Sequence, residues 1–354
     1  MKIKILLNLG MTLVVLFAAQ AAFGITIKLS DRKLITNDDK DDSVPVQKAF
    51  NDLLAAGGGT IEFPSGVTDI KNVIRVFPNG FKPVNVIIKG DGGSIIRIAL
   101  DPEATAFDFG NLNRLQVENL VFTGKPGTAE DPDFIDAKFI ILAGYINLIK
   151  LTNTSFFGIA VPSGGAIVHA ASNLTIDNCQ FEGNSAGYPD GAAVNLDCCS
   201  SPGQNANIRN TTFIDYANFN GQHFSKTGAM AGQWVRVKQV FWEGDTSSQR
   251  LTIEDSFFDE GAAVAVNVEN IASVHLKGIR VNVNSTPYGT ALKADNVRRI
   301  RIEDSDFGLS ALPRPFAILA DSSAEMIGVS RSHDVQCPQA DGETTITWRL
   351  SDCN

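Results

Sequence analysis

The string "WVRVKQ", beginning at Trp234, sets two cations at alternate positions between valines. Five more short apolar strings share that layout: "GAIVHA", "GAAVNLD", "VAVNVE", "TALKAD" and "FAILAD". Successive side chains of a strand leave by opposite faces. With Val168, Val194/Leu196, Val235/Val237, Val266/Val268 and Leu292/Ala294 turned inward, the outward set is His169, Asn195, Asp197, Arg236, Lys238, Asn267, Glu269, Lys293 and Asp295. Arg236, Lys238 and Lys293 can neutralise a carboxylate, and a lysine or His169 can take a weakly acidic proton beside it. Those are the two demands of β-elimination in a uronic-acid polymer. Asn195 and Asn267 can orient a sugar. Asp197, Glu269 and Asp295 could instead supply the paired carboxylates of hydrolysis, and Asp197 with Glu269 could hold calcium through oxygen. The loop before the doubly cationic string, "NFNGQHFSKTGAMAGQ", adds His223 and Lys226. Catalytic roles are expected of Arg236, Lys238, His169 and His223. Substrate binding is expected of Asn195, Asp197, Lys226, Asn267, Glu269, Lys293 and Asp295, with the metal ligands open. A polar row outside a strand is also what a plain solvated surface looks like.

Something must stack these strings. "RLQVENLVFTG", "NLTIDNCQFEGNSAG", "RLTIEDSFFDEG" and "RIRIEDSDFG" repeat one design. Aligned on the first inward apolar residue, the copies start at Val86, Leu115, Ile149, Leu174, Ala206, Leu251, Val274, Ile300 and Ile327. An apolar pair two residues apart reads as a strand with one buried face. Two positions on comes Asn119, Asn153, Asn178, Asn210, Asp255, Gly278 or Asp304, residue types that tolerate a left-handed bend. Three further on comes Phe122, Phe156, Phe181, Phe213, Phe258 or Phe307, which predicts an internal file of rings. Repeats of this length mean a solenoid or array. Leucine-rich repeats lack their consensus here, and a propeller blade needs more strands than one unit holds. The pattern predicts a parallel β-helix of about nine coils, a rod about 40 Å long at ~4.8 Å per coil.

Ahead of the repeats, "DDSVPVQKAFNDLLAAGGGTIEFPSG" places Ser43 to cap a helix, Pro45 in its first turn, and Val46, Ala49, Phe50, Leu53 and Leu54 on one face. Glycines 57 to 59 end it, and a strand follows. Such a helix would cover the free edge at the end of a solenoid. This segment, with "VNVIIKGDGG" after it, closely resembles the N-terminal cap and first coil of pectate-lyase-superfamily proteins. The resemblance covers roughly Thr36 to Ser94, with Thr68 where the family usually has tyrosine. It implies an all-β, right-handed single-stranded parallel β-helix with an N-terminal capping helix, exported, acting mostly on polysaccharide. It also implies a substrate groove along the sheet made by the polar strings above. The motif is specific for fold and not for reaction, since lyases, hydrolases, epimerases and phage depolymerases share it. The Asn-Thr-Asp, Gly-His-Gly and Arg-Ile-Lys motifs of the superfamily's polygalacturonases are absent. "GGAI" at Gly164 and "FEGNSAG" at Phe181 also resemble short motifs of bacterial adhesin β-helices, so a non-catalytic binding protein stays open beside the lyase, hydrolase and epimerase readings.

Lys2 and Lys4, the apolar run from Ile5 to Ala19 and the small residues after it predict a signal peptide over 1–24, cleaved after Ala21 or Gly24. The remaining expectations are a cap segment over 25–80, the β-helix over 81–335, a C-terminal tail over 336–354, an extracellular or periplasmic monomer and no membrane span after cleavage. The net charge of −9 argues against a nucleic-acid partner. A polysaccharide partner and, as an option, calcium remain. Of five cysteines, Cys337 and Cys353 are expected to pair, and Cys179 could reach Cys198 or Cys199. Asn153, Asn173, Asn210 and Asn284 head glycosylation sequons, but Asn153 and Asn210 fall on the turn ladder and read as chance.

Overall fold

A computed structural model describes residues 24–80, 83–100, 104–124, 135–136, 138–161, 164–171, 173–182, 185–186, 191–199, 205–214, 233–240, 249–259, 264–282, 290–307, 318–320, 326–330, 332 and 348–350. The leader before Gly24, His223, Lys226, Asn284, Cys337 and Cys353 lie outside them. No helix among the described residues is long and apolar enough to cross a membrane.

Each coil runs through three faces, and every strand pairs in parallel with its counterparts in the coils before and after. The chain is a right-handed parallel β-helix with an N-terminal capping helix. The first face contains Leu112–Glu118, Leu148–Thr152, Asn173–Asp177, Asn205–Arg209 and Arg250–Glu254. The nine anchor residues of the repeat stand opposite one another in unbroken succession from Val86 to Ile327. Pairing continues beyond each end, through Gly59 to Ile25 on one side and to Trp348 on the other. The short second face carries the phenylalanines in an eight-stranded sheet. The third face contains Thr105–Gly110, Phe139–Gly144, Ala166–Ala170, Ala192–Cys199 and Gln233–Val240. In the Val264–Lys277 and Thr290–Glu303 coils the third face runs into the first as one strand, bent at Asn270 and Asn296, both with positive φ.

The bend residues follow from backbone sterics. Asn119, Asn153, Asn178, Asn210, Asp255, Gly278 and Asp304 all hold φ between 46° and 60°, a region that costs most L-residues about 1–2 kcal/mol and Asn, Asp or Gly less. The asparagine amides also bond along the rod: Asn153 donates to Asn119 at 3.1 Å, and Asn178 to Asn153 at 2.7 Å. Immediately after the bend, Thr154, Thr211, Ser256 and Ser305 each donate a hydroxyl to the carbonyl two residues back, at 2.8–3.0 Å. Cys179 occupies that position in its own coil and directs its thiol at the Asp177 carbonyl. It is buried and free, which corrects the expected link to Cys198 or Cys199. Those two lie on the third face, across the coil from the corner that Cys179 fills.

Rings 122, 156, 181, 213 and 258 form a parallel stack with centroids 4.7–5.0 Å apart. Val281 stands next in register, so the stack stops before the buried Phe307. Helix α1, Ser43–Ala55, buries Val46, Ala49, Phe50 and Leu53, with Phe50 edge-on to Phe109 at 6.2 Å. Ser43 is not its cap. Asp42 holds that place without a side-chain cap bond, and the Ser43 hydroxyl instead accepts the N–H groups of Lys71 and Asn72. The loop's two amide hydrogens have no strand partner at that corner, so the hydroxyl is drawn to them.

Candidate functional site: the third face

Two successive inward residues bend each strand of the third face: Ile167 and Val168, Ala193 and Val194, Trp234 and Val235, Ala265 and Val266, Ala291 and Leu292, all buried. After the bend, alternation resumes and two outward rows form. One runs Leu142, His169, Asn195, Arg236, Asn267, Lys293 across consecutive strands. The other runs Asp197, Lys238, Glu269, Asp295. Nine of the eleven residues picked out in the sequence therefore lie side by side on one face, spaced at ~4.8 Å per coil. The other two, His223 and Lys226, lie outside the described residues.

Burial distinguishes this face from the rest of the surface. His169 is packed against the Phe139 ring at 5.0 Å, and its Nδ1 lies 3.2 Å from the Asn195 amide nitrogen. Desolvation, followed by the positive charge of Arg236, holds its imidazole below the ordinary histidine value against the pull of Asp197. His169 is therefore neutral at neutral pH, with a lone pair on one ring nitrogen. Asn195 points outward between Val194 and Leu196 and is nevertheless only 2% exposed. The Oδ1 atoms of Asn195, Asp197 and Asn267 are buried with no hydrogen-bond partner. An unsatisfied buried acceptor costs roughly 1–3 kcal/mol, and the same condition holds away from this stripe, at Thr68, Thr152 and Gln249.

The charges are arranged in pairs. Lys238 bonds Glu269 at 2.9 Å, and Lys293 bonds Asp295 at 2.9 Å. Lys238 stands between Asp197 and Glu269 in the row, so those two carboxylates do not converge on one cation. Among the described residues no group of three or more His, Cys, Asp or Glu side chains could hold a metal. Glu269 and Asp295 are adjacent, but each is ion-paired with a lysine.

No known family's sequence profile matches the chain, and no curated protein matches it. Several solved structures resemble it in fold. The surface adhesin PfbA of Streptococcus pneumoniae shares 11% identity over 87% of this chain and 89% of its own, with a TM-score of 0.49. The A-module of the Azotobacter vinelandii mannuronan C-5 epimerase AlgE6 shares 14% over 87% and 94%, with a TM-score of 0.38. The Agl-KA catalytic domain shares 12% and a TM-score of 0.35, and this chain spans 66% of its length. PfbA and AlgE6 are, like this chain, right-handed parallel β-helices. Similarities this low carry no argument about activity, which has to rest on this chain's own side chains.

Sequence reasoning missed the N-terminal continuation of the first outward row. Leu142 pairs with Asp108, and Asp108 with Arg75. Burial raises the Asp108 carboxyl above its ordinary value, partly offset by Arg75. The strings "IRV" and "AFDFG" lack the polar pair that marked the later strands, so only the register reveals that they belong to the same face.

Proposed function

We propose that the third face is the substrate site of a carbohydrate-active protein, a lyase that cleaves a uronic-acid-containing polysaccharide by β-elimination. The observation that carries this reading is the neutral, desolvated His169 in one outward row with Arg236, the buried Asn195 lying between them. Arg236 faces the sugar carboxylate and withdraws charge from it. His169 takes the proton on the carbon beside the carboxylate. The electron pair left behind forms the carbon–carbon double bond, and the bond to the glycosidic oxygen breaks, that oxygen leaving with a proton from solvent or a neighbouring acid. Asp197 and Asn267, half-buried in the two outward rows, orient sugar hydroxyl groups. Lys238 and Lys293 sit along the same stripe for neighbouring uronates.

Polygalacturonate and alginate, each with and without calcium, form the test. Ultraviolet absorbance from the conjugated double bond of an unsaturated uronate should appear on one of them. His169→Gln should lower kcat about 10²–10⁴-fold, the scale of a lost general base. Arg236→Ala should lower it comparably by leaving the carboxylate uncompensated. One observation favours a second, non-catalytic reading: Lys238 and Lys293 are already neutralised by Glu269 and Asp295. A wild type that binds these polymers and yields neither unsaturated nor epimerised product would establish a binding protein instead.

A further inference from the structure

The third face does not end at His169. Toward the N-terminus, Gly110 and Gly144 stand opposite each other, two residues beyond Asp108 and Leu142, and Phe77 follows the next strand, whose Val76 pairs with Phe109. The Phe77 ring lies across Gly110, because a Cβ built on that glycine would meet the ring at 2.3 Å. It remains 43% exposed. At Gly144 a Cβ would meet nothing within 4 Å. Neither Gly110 nor Gly144 has positive φ, so backbone conformation does not demand glycine at these two places. Their effect is to leave a trough beside an exposed ring.

Tyr145 follows Gly144 in the chain and is an outlier twice over. It is 78% exposed, and it holds φ 54° at a corner where other coils place Asn111, Asn270 and Asn296. An aromatic residue is poorly suited to that region, and strain of this kind costs about 1–3 kcal/mol. Asparagine would relieve it, and this fold uses asparagine freely at such bends.

We propose that Phe77 and Tyr145, set around Gly110 and Gly144, form an aromatic subsite that stacks a pyranose ring of the polysaccharide held by the polar rows. The inference rests on the polysaccharide reading of those rows. Sugar rings offer an apolar C–H face that fits the negative face of an aromatic ring. Leu142 is opposite His169 and Phe77 lies two coils further on. The subsite therefore starts about 5 Å from the histidine's coil and extends about 10 Å beyond it at the interstrand spacing. Only a chain several sugars long reaches both regions.

Calorimetry with a long fragment and with the disaccharide of polygalacturonate, and the same pair from alginate, tests this on the full chain. Tyr145→Asn should weaken the long fragment about fivefold to tenfold, the range of one aromatic stacking contact. It should leave the disaccharide unchanged and should not lower Tm. Gly144→Leu, which fills the trough, should reproduce the same selective loss. Unchanged affinity of Tyr145→Asn for the long fragment overturns the subsite and leaves the polar rows standing. So does a lowered Tm with equal losses on both fragments, since the ring would then serve the fold. A wild type that binds none of the four ligands overturns the subsite and the polysaccharide reading together.

Discussion

At the residue scale, the chain uses one device per corner and varies only its chemistry. The left-handed bend takes Asn, Asp or Gly, and at Thr154, Thr211, Ser256 and Ser305 the next side chain returns a hydrogen bond to the carbonyl before the bend. Leu120 and Ile279 fill that place with buried apolar groups. Cys179 fills that second position with a weaker donor than its threonine and serine counterparts. Burial pushes its thiol up to about 12, so it has almost no thiolate character at neutral pH and should resist alkylation until the protein unfolds. Asn153 both holds the bend and links two amides of the ladder. Asn153→Ala should cost about 2–3 kcal/mol, combining left-handed strain with lost hydrogen bonds, and Asn153→Gly clearly less; urea titrations of the two variants check the difference. His169 gives a pH prediction. Its folded value lies below 6.5, so the folded state binds fewer protons than the unfolded one as pH falls through that region. Stability should therefore drop below about pH 6.5 and continue dropping down to the lowered folded value. The acid limb of kcat/KM should likewise fall below pH 6.5, and His169→Gln should abolish both effects.

At the element scale, the cap is held by charge as well as by packing. Asp69 is 2% exposed and receives Arg97, whose Nη2 lies 2.7 Å from Oδ2 and which also contacts Asp39. Asp42, on the same side of the cap, accepts the Asp69 N–H at 2.9 Å. Removing the guanidinium would leave a buried carboxylate beside other acids. Arg97→Ala should cost about 3–5 kcal/mol, and Asp69→Asn in the same chain should recover part of the loss, as thermal unfolding would report. The apolar face of α1 was legible because Val46, Ala49, Phe50 and Leu53 recur at helical spacing. The cap was misread because Ser43, the best capping type nearby, is recruited by the Lys71 and Asn72 amides, which are remote in sequence.

At the scale of the whole molecule, a row of alternating charge runs up the first face. Lys28, Glu62, Lys89 and Glu118 stand opposite one another in turn, then Thr152, then Asp177, Arg209, Glu254, Lys277 and Glu303. Each exposed pair is worth little alone, but a coil slipped by one winding would place like charges together. The row therefore specifies which coil follows which. Lys277→Glu would set three carboxylates in succession, Glu254, the new one and Glu303. The expected loss is about 1 kcal/mol, largely recovered at high salt, as Tm against ionic strength would show. The N-terminal strand Ile25–Lys28 begins beside Gly24, which lies so close to Gly58 and Gly59 that no Cβ would fit.

The repeat pattern alone determined the coils, their order, the left-handed corners and the ring stack, because strand alternation and left-handed sterics act within a few residues. Alternation also sorted the third face into inward valines and outward polar groups, since a buried charge there would be too costly. Only the tertiary structure decided that Asn195 is covered, that His169 loses its solvent, that Lys238 separates Asp197 from Glu269, and that Arg75, Asp108, Phe77 and Tyr145 join the same surface. Those outcomes depend on which residues stand opposite one another across coils of unequal length. Loop lengths set that register, and no local pattern in the chain encodes desolvation by a neighbour many residues away.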